Sequence, residues 1–158
     1  MENIELVRID DRMLHGQVVS TWLKDYSIEQ VLIINDKAAN DPIQKSVAGL
    51  AAPKEVKVHL FGVDQFIDIL KKTPIKRKTM LIFTTSTDVL KLVENGLDIK
   101  EVNVGGMRYN ENRKRLSKAV SVTPEEEEAF KKLIEKDIKV FIQMIPKSDE
   151  SLMKNLLK

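Results

Sequence analysis

Short apolar runs of strand length alternate with amphipathic stretches from one end of the chain to the other, and this alternation restricts the fold more than any single motif. Residues 4–9, 31–34, 80–83 and 140–142 read as strands, and 31–34 and 80–83 are continuously apolar, as in strands covered on both faces. Val56, Val58 and Leu60 alternate with Lys57 and His59, which predicts a half-exposed strand near a sheet edge. Ile99, Val102 and Val104 suggest a strand that stops at Gly105-Gly106, and Ala119 to Val122 a short one. Helices fall between them: Gly16 to Lys24; one opened by Asp41-Pro42 and closed by Pro53; Val63 to Lys72; one capped by Thr87 and running to Glu94. Thr123-Pro124-Glu125-Glu126 is a capping box that starts a helix to about Lys136, and Ser148 to Leu157 reads as a terminal amphipathic helix.

This order predicts an α/β fold, a mostly parallel sheet joined by right-handed crossovers with helices on both faces. The chain has 158 residues, so one domain over 1–158 is expected, large enough to bury a core without disulfides or structural metals. There are no cysteines, which removes thiol nucleophiles and thiolate metal sites. A net charge of +2 is too small to argue for nucleic acid or an anionic membrane as the main partner. No apolar leader or bilayer-length stretch is present, and the chain begins at once with a strand, so a cytoplasmic, free-standing component is expected.

In parallel sheets of this kind ligands bind beyond the carboxyl ends of the strands. That rule selects residues 10–15, 35–39, 61–64, 84–88 and 105–113. The first is the most polar: Arg8-Ile9-Asp10-Asp11-Arg12-Met13-Leu14-His15-Gly16-Gln17 delivers two arginines, two aspartates and a histidine where an apolar strand ends. A solvated turn would explain Asp11 alone, but it explains the set less well. Arg8 and Arg12 disfavour a positive charge on His15 and leave its imidazole nucleophilic. The helix starting at Gly16 offers unpaired backbone N–H groups to an anion, and Gly16 lets those amides approach closely. Asp10 could orient Arg12 or hold the loop. Together these suit a nucleophile that accepts phosphate.

Other chemistries fit less well. His59, the second histidine, sits mid-strand without local carboxylates and reads as structural or surface. Dinucleotide, P-loop and GxSxG signatures are missing, so neither cofactor nor metal is expected. Arg108, Arg113, Lys114, Arg115 and Lys118 form a basic loop that is a solvated surface, docks an acidic partner or faces the phosphoryl site, with solvation and docking about equal in weight. Nucleic-acid binding is poorly supported there, with Tyr109 as the single aromatic.

Residues 7–19 and Trp22 closely resemble the signature of the IIB component of the mannose/fructose/sorbose family of sugar phosphotransferase systems. The likeness continues through residues 35–41, 103–108, 118–123 and 143–146, nearly the whole chain. Met13 stands where leucine or phenylalanine is usual, and Thr84 to Thr87 where many members carry Ser-Pro or Thr-Pro. The resemblance implies an EIIB transferase of sugar transport, taking a phosphoryl group from a IIA phosphohistidine onto His15, at Nδ1 by family precedent. It implies transfer from there to a sugar held by the membrane subunits IIC and IID, which brings the protein transiently to the inner face of the membrane.

Arg12, Arg8 and Asp10 map onto the family's conserved loop residues. Arg12 and Arg8 are expected to stabilise the equatorial phosphoryl oxygens, with amides near Gly16 and Gln17 completing the cradle. Asp36, Ser86, Thr87 and Arg108 are rim candidates; for Asp36, Ser86 and Thr87 a turn or cap role outweighs contact with phosphate. Related components often associate as dimers, and the sugar (mannose, fructose, sorbose or N-acetylgalactosamine) stays open. Two rivals stand beside this reading. A sensor of anionic ligands would need the arginines but tolerate loss of His15. A phosphohistidine-dependent mutase or phosphatase would need an acid or second nucleophile that is not obvious here.

Overall fold

The computed structural model describes residues 1–157, apart from the side chains of residues 17–19. In chain order the elements are β1 (Ile4–Asp10), α1 (Gly16–Asp25), β2 (Gln30–Ile34), α2 (Asp36–Ala39), α3 (Pro42–Ala51), β3 (Lys57–Phe61), α4 (Val63–Lys72), β4 (Thr79–Phe83) and α5 (Ser86–Glu94). Then come β5 (Glu101–Gly106), β6 (Lys114–Arg115), β7 (Ser121–Val122), α6 (Pro124–Glu135), β8 (Lys139–Ile142), β9 (Ser151–Leu152) and a 3₁₀ turn, Met153–Asn155. The main sheet has the order β3-β2-β4-β1-β5-β8-β9, parallel except for β9, as the alternation predicted.

Side-chain parity assigns the two faces. Val7 and Ile9 of β1, with Leu81, Phe83, Val102 and Val104, pack under α4, α5 and α6. Leu6, Val31, Ile33, Met80 and Ile82 pack under Trp22 and Leu23 of α1 and Ala48 of α3. Burying a side chain such as Phe66, Phe83 or Phe130 contributes about 1.5–3 kcal/mol. The order reverses at β1. The chain leaves β1 toward β2 on one side, whereas β5 lies on the other, so the loop after β1 opens at a topological switch point.

Most local signals are realised. Asp41 caps α3 through the Ile43 amide at 2.9 Å with Pro42 in first position, and Thr123 and Glu126 form the expected capping box at α6. β3 is the edge strand, with His59 exposed on it. Three expectations change. The cap of α5 is Thr85, whose Oγ1 accepts from the Thr87 amide, and Thr87 lies inside the helix. The basic loop supplies a strand, β6, which pairs antiparallel with β7, the short strand that follows it. Residues 148–157 form no amphipathic helix, because Ser151–Leu152 adds to β8 as an antiparallel strand and satisfies that edge, before a single 3₁₀ turn buries Met153.

Candidate functional site

The parity that seats Leu6 under α1 also turns Arg8 and Asp10 to that face, and both are fully buried. A guanidinium in the middle of a central strand needs acceptors and room. Asn103 Oδ1 on the neighbouring strand accepts from Arg8 Nη1, and so does the Gln143 carbonyl at 3.1 Å. The Met144 carbonyl accepts from Nη2 at 3.2 Å. Room comes from Gly105, where any Cβ would overlap the guanidinium. Trp22 lies 5.2 Å from Arg8 Cζ and donates its indole N–H to Met144 O at 2.9 Å. Burial lowers the Arg8 pKa to about 10, with Asp10 working against that fall.

Asp10 is where the loop converges. Its Oδ1 accepts from the Arg12 amide at 3.0 Å and Arg12 Nε at 3.1 Å. Its Oδ2 meets Arg12 Nη2 at 3.2 Å, Arg8 Nη2 at 3.4 Å and His15 Nε2 at 3.2 Å. Burial would raise the Asp10 pKa, but the hydrogen bonds from Arg12 and His15 and the charge of Arg8 hold it below the ordinary carboxylate value. His15 is the N-cap residue of α1, its side chain 24% exposed, and its Nδ1 has no hydrogen-bond partner among the described residues. The turn that brings it there uses left-handed backbone at Met13 (φ 60°) and Gly16 (φ 46°); glycine adopts that conformation at little cost.

The neighbouring Asp11 points elsewhere. Its Oδ2 accepts from the Arg108 amide at 2.8 Å and from Arg113 Nη1 at 3.2 Å. Arg113 in turn grips Glu126 with Nε at 2.9 Å and Nη2 at 2.8 Å, and Thr85 Oγ1 donates to the same carboxylate at 2.9 Å. Burial opposes the charges of both partners. Burial is the largest single influence on each, but their mutual hydrogen bonds and charges, with Asp11 acting on Arg113 and Thr123 and Thr85 on Glu126, together outweigh it, raising the Arg113 pKa and lowering that of Glu126.

The sequence-chosen residues therefore separate. Asp10, Arg12, His15 and Gly16 come together. Arg8 does not reach outward as expected: it is buried beneath the loop with its terminal nitrogens bonded, so it holds Asp10 and cannot present donors to an incoming phosphoryl group. The side chain of Gln17 lies outside the described residues; its backbone is in the first turn of α1. Arg108 is exposed, 3.3 Å from Asp11 through Nε, at the mouth of the site. Asp36 does not line it; its Oδ1 accepts from the Val63 amide at 2.8 Å and ties α2 to α4. Ser86 is buried and donates to Glu126 O at 2.8 Å, and Thr87 pairs with Thr85 at 3.2 Å. Asn103 carries no functional reading in the sequence, and Gly105 and Arg113 enter it only as the ends of the strand-end segment 105–113, Arg113 also as part of the basic loop. Strand parity carries a signal for the first two, since a buried Arg8 demands an acceptor and a gap beside it.

A groove of about 300 Å³ runs from Arg12 along Gly105 and Gly106 to Arg108, Tyr109, Arg115, Lys118 and Met144. Its polar rim is cationic, which suits an anionic ligand or partner. Lys114, outside this groove, pairs with Glu127, so the basic loop is divided between neutralised and free charge. Among the described residues no group of three or more histidines, aspartates or glutamates could share a metal ion. No helix among them is long and apolar enough to cross a membrane.

Residues 4–158 match the family model of the phosphotransferase system (PTS) sorbose subfamily IIB component. The fructose-specific EIIB component of Bacillus subtilis (strain 168) is 36% identical over 152 residues, covering 96% of this chain and 93% of that protein. The mannose-specific EIIAB component of Escherichia coli (strain K12) is 35% identical over 155 residues; the match covers 98% of this chain but 48% of that relative's length. The crystal structure of the IIBSor domain of the sorbose permease from Klebsiella pneumoniae agrees with a TM-score of 0.91 at 30% identity, covering 97% of this chain and 94% of that one. A match over almost every residue, together with the shared sheet, makes this chain a member of the mannose/sorbose family of phosphotransferase-system IIB components.

Proposed function

We propose that this IIB component carries a phosphoryl group on Nδ1 of His15, received from a IIA phosphohistidine and passed to a sugar held by membrane IIC and IID subunits. The observation that carries the reading is the Asp10 contact on the opposite ring nitrogen, 3.2 Å from Nε2. A carboxylate there keeps the proton on Nε2 and leaves the Nδ1 lone pair free to attack. In the first half-reaction that pair forms a bond to phosphorus as the N–P bond on IIA breaks, its electron pair staying on the IIA imidazole, which takes a proton from solvent. In the second a sugar hydroxyl oxygen attacks phosphorus, the electron pair of the His15 N–P bond returns to Nδ1, and the hydroxyl proton passes to solvent.

Arg12 is the exposed cation beside the ring and would stabilise the equatorial oxygens, with the first amides of α1 at Gly16. Arg8 and Asp10 hold these groups in place. A protein of this kind works in the cytoplasm and meets the membrane only through its permease. Relatives bear the names of fructose, mannose, sorbose and N-acetylgalactosamine systems, so a hexose or amino sugar is the substrate class.

The test is intact mass after incubation with phosphoenolpyruvate, the general phosphotransferase proteins and a mannose-family IIA component. One acid-labile phosphoryl group that His15→Ala removes and His59→Ala retains is expected. Uptake that survives His15→Ala sinks the site, and no uptake with several IIA partners leaves an anion sensor.

A further inference from the structure

The loop that presents His15 is not a low-energy turn by itself. Met13 is a non-glycine residue in left-handed backbone, an arrangement that costs on the order of 1 kcal/mol and persists only where its surroundings enforce it. Asp10 secures the loop from beneath. What secures it from the side is Asp11, whose amide donates to Gly106 O at 3.1 Å and whose carboxylate accepts from the Arg108 amide and Arg113.

Arg113 lies 102 residues further along the chain, just before β6. Every terminal nitrogen of its side chain is engaged: Nη1 on Asp11 and the Arg108 carbonyl, Nε and Nη2 on the two oxygens of Glu126. Glu126 is 5% exposed and held by the Thr123 amide at 2.9 Å and by Thr85 Oγ1, so it is anchored in the first turn of α6. The result is a rigid bridge from α6, through one planar guanidinium, to the residue next to Asp10. We infer that Arg113 is a positioning residue of the phosphoryl-transfer site, fixing the loop that carries His15 through Asp11 and using Glu126 as its anchor. This rests on the reading of His15 as the phosphoryl carrier.

A planar fork is required, because one nitrogen must reach Asp11 while two others remain parallel on Glu126; a lysine can supply the charge but not that geometry. The experiment uses the full chain and its variants Arg113→Ala, Arg113→Lys, Asp11→Asn and the double variant. Lys114→Ala, whose exposed pair with Glu127 lies on the adjacent residue, is the control. Two readouts are taken: single-turnover phosphoryl transfer from phosphorylated IIA at varied IIA concentration, and the ¹⁵N signals of the His15 ring in the unphosphorylated protein.

The expected result is a fall of about a hundredfold in the maximal transfer rate of Arg113→Ala, with the half-saturating IIA concentration changed less than about twofold. Little recovery is expected in Arg113→Lys. Asp11→Asn should lose a similar factor, and the double variant no more than either alone, because both break one bridge. The ring signals should move from one tautomer toward an average of two, while Lys114→Ala leaves both readouts unchanged. A wild-type rate with unaltered ring signals in Arg113→Ala, even at a lowered melting temperature, overturns the inference, as do additive losses in the double variant. If the wild type accepts no phosphoryl group, the carrier reading fails; the ring signals then decide alone, an unchanged tautomer overturning the positioning role and an averaged one supporting it.

Discussion

The guanidinium of Arg8 occupies the space into which any side chain on Gly105 would grow: a Cβ there would overlap Nη2 and Cζ. The two residues lie on adjacent parallel strands and face α1 together. This absent side chain permits a charged group in the centre of the sheet, and with it the buried support of the loop that carries His15. Gly105→Ala must displace Arg8 from Asn103, Asp10 and two carbonyls, and the expected loss is about 3 kcal/mol, the upper end for overpacking. Urea unfolding of the variant checks it; a loss under about 0.5 kcal/mol, the surface range, contradicts the packing account.

Trp22→Phe removes the indole N–H from Met144 O but does not orphan that carbonyl, since Arg8 Nη2 also donates to it at 3.2 Å. The cost is therefore chiefly lost volume and ring area over Arg8, about 2 kcal/mol. Denaturant midpoints of wild type and variant measure it, and Trp22→Ala should lose distinctly more.

Asp10→Asn leaves Arg8 buried without its counter-charge, and a loss of about 3–5 kcal/mol at neutral pH is expected. The Asp10 pKa is lowered in the folded protein, so its contribution is present above the unfolded value near pH ~4 and disappears as pH falls through the folded one. Wild-type stability should decline with acid in that window more steeply than that of Asp10→Asn. Parallel slopes in denaturation from pH 7 down to pH 2 would count against the assignment.

Asp88 behaves in the opposite sense. Burial, and secondarily the charge of Asp36, raise its pKa to about 6. A carboxyl group raised in this way favours the fold while protonated, and the contribution is lost as pH rises through the folded value. Asp88→Asn should therefore raise the melting temperature at pH 7 and have much less effect at pH 4. Thermal melts at the two pH values test this; equal shifts at both would exclude the titration as the cause.

The alternation of apolar runs with amphipathic stretches was enough to determine the parallel sheet, because burial on both faces and right-handed crossovers leave few other arrangements. Caps at Asp41 and Thr123 were legible for the same local reason: side chain and amide are two or three residues apart. The loop from Arg8 to Gly16 also stood out, through its run of charges at a strand end, and so did His15. Local signals failed where a distant partner decided the outcome. Residues 148–157 read as a helix until the edge of β8 claimed Ser151–Leu152 as a strand.

Roles within the loop were beyond the sequence for the same reason. Arg8 and Arg12 are equivalent in a string of letters, but one is sealed under Trp22 against Asn103 and Gly105 and the other stands half in water beside His15. Asp10 and Asp11 are adjacent, but successive side chains of an extended strand end leave in opposite directions, one to His15 and the other to Arg113, 102 residues away. Chain order determined which groups were available, and only the packing of β1 against β5, α1 and the loop before β6 decided which of them faces His15.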